Sequence, residues 1–151
     1  MSSAGEQSPT YPLMLTNLAQ ARCVVVGGAV AERKARDLIA GGARPVVISP
    51  TVTDALGDWH AAGQIEHVAR AYQPGDLAGA FLAVAATNDR VTNAAVAEEA
   101  ARMGILINVA DAPWIGNFHT AATVRHWPSL WRSAPPKPPT VMRAPVGMRC
   151  S

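Results

Sequence analysis

The chain has 151 residues, enough for one domain with a sizeable core and too few for two ordinary ones. It is 49% apolar and 5% aromatic, an alanine-rich globular composition that suits helices packed closely on a sheet. Its net charge of +2 is uneven, because residues 1–111 hold 8 bases and all 11 acids while the last 40 residues hold 5 bases and no acid. Those last bases are spread among prolines without a dense cluster, so neither a nucleic-acid nor a membrane partner is expected. No apolar run approaches the length of a membrane span, and residues 1–10 lack the apolar core of a signal peptide. Cys23 and Cys150 lie almost at opposite ends, so a disulfide framework is not expected and a reducing cytoplasm is.

Residues 1–10 read as a loose tail, residues 11–127 as one nucleotide-binding domain and residues 128–151 as an irregular or disordered tail. Tyr11-Pro-Leu-Met-Leu15 is short and apolar, an edge strand or a cover for one sheet face. Cys23-Val-Val-Val26 is a compact β-branched run and predicts a buried strand, ended by Gly27-Gly28. From Ala29 the period becomes helical: Ala31, Ala35, Leu38 and Ile39 share one face and charged residues cover the other, up to Gly41-Gly42. Pro45 to Ser49 predicts a second buried strand, which makes a βαβ unit and implies parallel pairing. A short helix follows over Asp54 to Ala62, then a weak edge strand over Ile65 to Ala69 and a turn at Pro74-Gly75-Asp76. Phe81 to Ala86 is apolar on both faces, as a central parallel strand should be. Arg90 to Met103 predicts an alanine-rich helix stopped by Gly104, and Ile105 to Val109 a further buried strand. Beyond Trp127, Pro128, Pro135, Pro136, Pro138, Pro139 and Pro145 rule out a regular ladder. The fold class is therefore α/β, a Rossmann-like open parallel sheet with helices on both faces and an irregular proline-rich tail.

Four constellations carry chemistry. Gly27-Gly28-Ala29-Val30-Ala31 sits in a strand, turn, helix context, where free N–H groups and the helix dipole stabilise a pyrophosphate. With Gly28 as the second glycine of G-x-G-x-x-G/A and Ala31 as the closing small residue, the first glycine falls on Val26, so the motif is incomplete, and a plain strand-to-helix turn is the alternative. Ser49-Pro50-Thr51 ends the next strand; it can bond a ribose without repelling a 2′-phosphate, so these residues do not separate NAD from NADP. Ala86 and Thr87 follow a central strand, where small residues admit a cofactor, although the segment also serves as a helix cap. Asp111, in Asn108-Val-Ala-Asp-Ala-Pro113, lies just past a strand's carboxyl end; it is a candidate general acid or base in an apolar setting from Val109, Pro113 and Trp114, or a turn-capping carboxylate. His119 and His126 lack the spacing of a metal pair, and no nucleophile elbow or P-loop lysine is present.

Taken in order, Tyr11-Pro-Leu, Arg22-Cys-Val-Val-Val-Gly-Gly, Val30-Ala-Glu-Arg-Lys-Ala-Arg36, Gly42-Ala-Arg44, Ala85-Ala-Thr87 and Asn108-Val-Ala-Asp-Ala-Pro113 resemble the precorrin-2 dehydrogenase / sirohydrochlorin ferrochelatase family, the N-terminal module of siroheme synthases. The resemblance runs from about Tyr11 to about Arg125. It implies NAD-dependent oxidation of precorrin-2 to sirohydrochlorin, with Fe²⁺ as a further substrate in some members and a homodimer as the family's assembly. It also implies that Gly27, Gly28, Ala29 and Val30 hold the pyrophosphate, Pro50 and Thr51 the adenosine side, and Ala86 and Thr87 the nicotinamide end, with Asp111 as the essential carboxylate. Two features depart from the family: two turn glycines instead of three, and a proline-rich basic end that reads as frameshifted or truncated in place of the dimerisation region. A non-catalytic NAD(H)-binding module and an inactive remnant of the enzyme are the alternatives.

Overall fold

The computed structural model describes Pro9 and residues 11–119. A first compact unit ends at Phe118, and the fold below is that of this unit. The loose tail expected before residue 11, apart from Pro9, and the irregular tail expected over 128–151 lie outside the described residues, as does His126.

Five strands, β1 (Cys23–Val26), β2 (Val46–Ile48), β3 (Glu66–Val68), β4 (Leu82–Ala85) and β5 (Leu106–Val109), form one sheet in the order β3-β2-β1-β4-β5. Every pairing is parallel. Three α-helices make crossovers, α1 (Ala29–Ala40) after β1, α2 (Asp54–Ala61) after β2 and α3 (Arg90–Met103) after β4. A parallel pair cannot be joined by a tight hairpin, so each returning helix covers a face of the sheet. That double cover explains why the strands are apolar without alternation. Val24, Val26, Ala83, Ala85, Ile107 and Val109 point to the face closed by Val96, Ala97 and Ala100 of α3. Cys23, Val25, Val47, Leu82 and Val84 point to the other, closed by Ala31 and Ala35 of α1 and Leu56 of α2. Alanine on the helix side lets the layers approach closely, and burial pushes the Cys23 thiol up, leaving it neutral.

The helix ends follow local chemistry. Thr53 accepts the Leu56 N–H at α2 and Asp89 accepts the Val91 N–H at α3, each supplying an oxygen to a donor the helix leaves open. Gly104 closes α3 at φ 68°, a left-handed turn that suits glycine. The segment Tyr11 to Leu15 is not a strand. Tyr11 and Met14 are exposed, and only Leu15, followed by Leu18, packs on the α1 face, so this stretch acts as a partial cover.

The long connection from β3 to β4 has no helix of its own and is fastened by carboxylates. Arg70 donates both of its terminal nitrogens to Asp76 at 2.7 Å. Glu99 on α3, 3% exposed, accepts from the Gly75 N–H at 2.6 Å, the Tyr72 hydroxyl at 2.7 Å and the Leu77 N–H at 2.8 Å. Burial alone would raise the Glu99 carboxyl, but the three donors outweigh it and hold it below its ordinary value. Its native value is lowered, so its stabilisation is complete above the ordinary carboxylate value of 4.5 and is lost as pH falls through the lowered value. We expect Glu99→Ala to leave the buried Leu77 N–H and the half-buried Tyr72 hydroxyl without their acceptor, costing about 2 kcal/mol or more and roughly 8 °C in Tm. Thermal melts between pH 7 and pH 3 check this, and the variant should lose less stability on acidification than the wild type.

Candidate functional site

The register places the carboxyl ends of four strands level with one another. Val26 lies opposite Ile48 and Ala85, and Ala85 opposite Val109. The ladder continues one residue further: the Gly27 N–H donates to Ile48 O at 3.0 Å, the Ala86 N–H to Val26 O at 2.8 Å and the Ala110 N–H to Ala85 O at 2.9 Å. The turns carrying Gly27-Gly28, Ser49-Pro50-Thr51, Ala86-Thr87 and Asp111 therefore share one edge of the sheet. Between β1 and β4 the strand order reverses, β2 lying to one side of β1 and β4 to the other. In open α/β sheets this switch point is where a ligand finds a crevice outside the strand ends.

At the switch point Gly27 is buried at φ 135°. A Cβ there would stand 2.3 Å from Ala86 O, so the two strand-end turns touch through bare backbone. Gly28 differs. A Cβ on it would meet nothing nearer than the hydroxyls of Ser49 and Thr51, each at 3.7 Å, so the space in front of it is open. Gly28 also precedes α1 with no side chain capping the helix, which leaves donors of the first turn facing that space beside exposed Ala29 and Val30. An open gap, uncapped N–H groups and a positive dipole end together fit the pyrophosphate of a dinucleotide.

Ser49 is buried, and its hydroxyl is engaged locally, donating to Thr51 O at 2.5 Å and accepting from the Thr51 N–H at 3.3 Å. It shapes the turn that presents exposed Pro50 and Thr51. At the end of β4, Ala86 is buried and Thr87 half-buried. Thr87 accepts from the Asp89 N–H at 3.1 Å, which makes the segment both a strand-end lip and the entry to α3. Asp111 is exposed, and Trp114 beside it is 80% exposed, so the described chain does not surround the carboxylate with the expected apolar wall. Val109 points into the α3-face core instead.

Asn93, one turn into α3, was invisible to motif reading. It is 2% exposed and joins Thr87 to Asp111. The hints in the sequence are an Asn, a poor helix former, in an otherwise alanine-rich helix, six residues after Thr87. Asn117 was also missed. It accepts from the Ile107 N–H at 2.8 Å and donates its backbone N–H to Ile107 O at 2.9 Å, covering the free edge of β5. Among the described residues no group of three His, Cys, Asp or Glu is placed to hold a metal ion. A cavity of about 360 Å³ lined by Asn17, Arg22 and Phe81 lies at the amino ends of β1 and β4, away from these residues.

The fold, the switch-point glycines and the uncapped helix define a dinucleotide-binding domain, and the chain belongs to the NAD(P)-binding family whose model matches residues 14–122. Its relatives include siroheme synthases. The one from Chromobacterium violaceum is 41% identical over 80% of this chain and 26% of its own length. The one from Nitrosomonas eutropha is 41% identical over 72% of this chain and 23% of its own. The chain thus spans about a quarter of the length of these curated relatives. Among solved structures it is similar to SirC, a precorrin-2 dehydrogenase, with a TM-score of 0.65 and 26% identity over 83% of this chain and 71% of that one. No helix among the described residues is long and apolar enough to cross a membrane.

Replacing Gly27 tests the close backbone approach. Gly27→Ala should cost about 3 kcal/mol or more, from the left-handed φ and the clash with Ala86 O. Chemical denaturation measures it, and a variant as stable as the wild type would show that the two turns do not meet as described.

Proposed function

We propose that this chain oxidises precorrin-2 to sirohydrochlorin, using NAD⁺ as hydride acceptor. The observation that carries the proposal is the placement of the Asp111 carboxylate on the same sheet edge as the glycine turn, joined to the Thr87 turn through one buried amide. The family match, the siroheme synthase relatives and the similarity to SirC support it.

In this reading Gly27, Gly28, Ala29 and Val30 hold the pyrophosphate with backbone N–H groups. Pro50 and Thr51 line the adenosine side on the turn that Ser49 shapes, and Ala86 and Thr87 carry the nicotinamide end. NAD⁺, when bound, accepts a hydride from a ring carbon of the substrate. A proton must also leave the macrocycle for the ring system to gain its new double bond, and Asp111 is the carboxylate placed to take it. Insertion of Fe²⁺ into the product would call on the same residue. A cytoplasmic setting fits the free, buried Cys23 thiol.

Purified full chain incubated with precorrin-2 and NAD⁺ should yield sirohydrochlorin absorbance together with NADH. Asp111→Ala should cut turnover to a small residual rate and leave the NAD⁺ Kd unchanged. NAD⁺ binding by wild type without any turnover would replace this reading with that of a nucleotide-binding module. Gly28→Ala should fold normally, since its Cβ meets only van der Waals neighbours. It should weaken NAD⁺ roughly tenfold, about 1.4 kcal/mol, by filling the gap in front of the helix. Isothermal titration calorimetry reads both binding effects.

A further inference from the structure

Both polar atoms of the Asn93 side chain are bonded. Its Oδ1 accepts from the Thr87 N–H at 3.1 Å and lies 2.7 Å from the Thr87 hydroxyl, whose single proton is shared with Asp89 O at 2.9 Å. Its Nδ2 donates to Thr87 O at 3.1 Å and to Asp111 Oδ1 at 3.1 Å. The chemistry of the partners allows one orientation only. The Thr87 N–H can only donate, so it must face the amide oxygen; Thr87 O can only accept, and so can an ionised Asp111, so both must face the amide nitrogen. At 2% exposure the Asn93 amide is shielded from water, and a rotated amide would set the Thr87 N–H against a donor and Thr87 O against an acceptor. The backbone N–H of Asn93 is itself fixed, donating to Asp89 O at 3.0 Å, so the amide projects from a rigid helical turn.

Among the described residues, the bond from Asn93 is the one side-chain hydrogen bond to Asp111. Asp111 is exposed, in a turn past the end of β5, while Thr87 sits past the end of the neighbouring strand β4. An exposed carboxylate on such a turn would ordinarily sample several rotamers, each a different distance from a substrate held over the sheet edge. We propose that Asn93 is the positioning residue of the site: it holds the Asp111 carboxylate in register with the Thr87 turn, and so with the end of the cofactor from which chemistry proceeds. The inference rests on the oxidation proposed above for its catalytic consequence, but the link itself is a property of the free chain.

The test therefore has two arms, both on the full chain. In the first, the side-chain amide resonances of Asn93 are followed by ¹⁵N NMR without substrate. Asp111→Ala should move them, while those of Asn17 and Asn117 stay in place. In the second, steady-state kinetics form a double-mutant cycle. Asn93→Asp keeps an oxygen for the Thr87 N–H and replaces the donor to Asp111 by a like charge. It should lower kcat on the order of 10²-fold, the scale of a misplaced catalytic group, with KM for NAD⁺ little changed. In the Asp111→Ala background the same substitution should lower the residual rate no further. Should Asn93→Asp fail to fold, Asn93→Ser removes the amide from the same site with no change of charge. Unmoved Asn93 resonances in Asp111→Ala would overturn the inference, as would equal losses of kcat in both backgrounds. If the wild type turns over no precorrin-2, the oxidation reading fails, and the NMR arm alone decides the link.

Discussion

Gly27 approaches Ala86 so closely that no side chain fits between them, and the arrangement of the site depends on that contact. A Cβ at Gly27 would stand 2.3 Å from Ala86 O. With no side chain to separate them, β1 and β4 stay paired through to their last residues, and the Ala86 N–H still reaches Val26 O. The level ends then place the turns after β1, β2, β4 and β5 along one edge. Were the two turns forced apart, the helix N-terminus at Gly28 and the lip at Thr87 would no longer face one crevice.

Helix α3 does two separate jobs with two buried polar side chains. Glu99 gathers three donors from the connection between β3 and β4, a segment without regular structure that would otherwise leave the buried Leu77 N–H unpaired. Asn93, nearly two turns earlier, gathers the Thr87 and Asp111 turns. Both are fully satisfied, and this lets polar groups sit inside an alanine-rich layer without heavy cost. Burial and the neighbouring Glu99 carboxylate also push the Tyr72 hydroxyl up, so it remains a donor to that carboxylate. One face of α3 meanwhile packs Val96, Ala97 and Ala100 onto the sheet, so a single helix supplies core and anchors together.

Most elements could be read from the chain because their signals are local. The β-branched run at Cys23–Val26, the 3.6-residue period after Ala29 and the stop at Gly104 each fix an element within a residue or two. Tyr11 to Leu15 stayed open between edge strand and cover because a short apolar run has no period of its own, and the packing of Leu15 decides for the cover. Asn93 and Glu99 escaped because their partners are 6 to 27 residues away along the chain. The expected apolar surroundings of Asp111 failed for the same reason: Val109 is its near neighbour in sequence, yet the pleat sends it to the opposite environment.

By itself the sequence determined the order of strands and helices, the parallel sense of the sheet and the position of the glycine turn, since each follows from composition and period over a few residues. It also supplied the ordered motifs that carry the resemblance to the precorrin-2 dehydrogenases. Only the tertiary structure decided which strand lies beside which, that Gly27 must be bare because Ala86 presses on it, and that Asn93 bonds Asp111. The reason is that these are distances between segments far apart in the chain. A linear pattern records which face a residue occupies, and the fold alone fixes what stands opposite it.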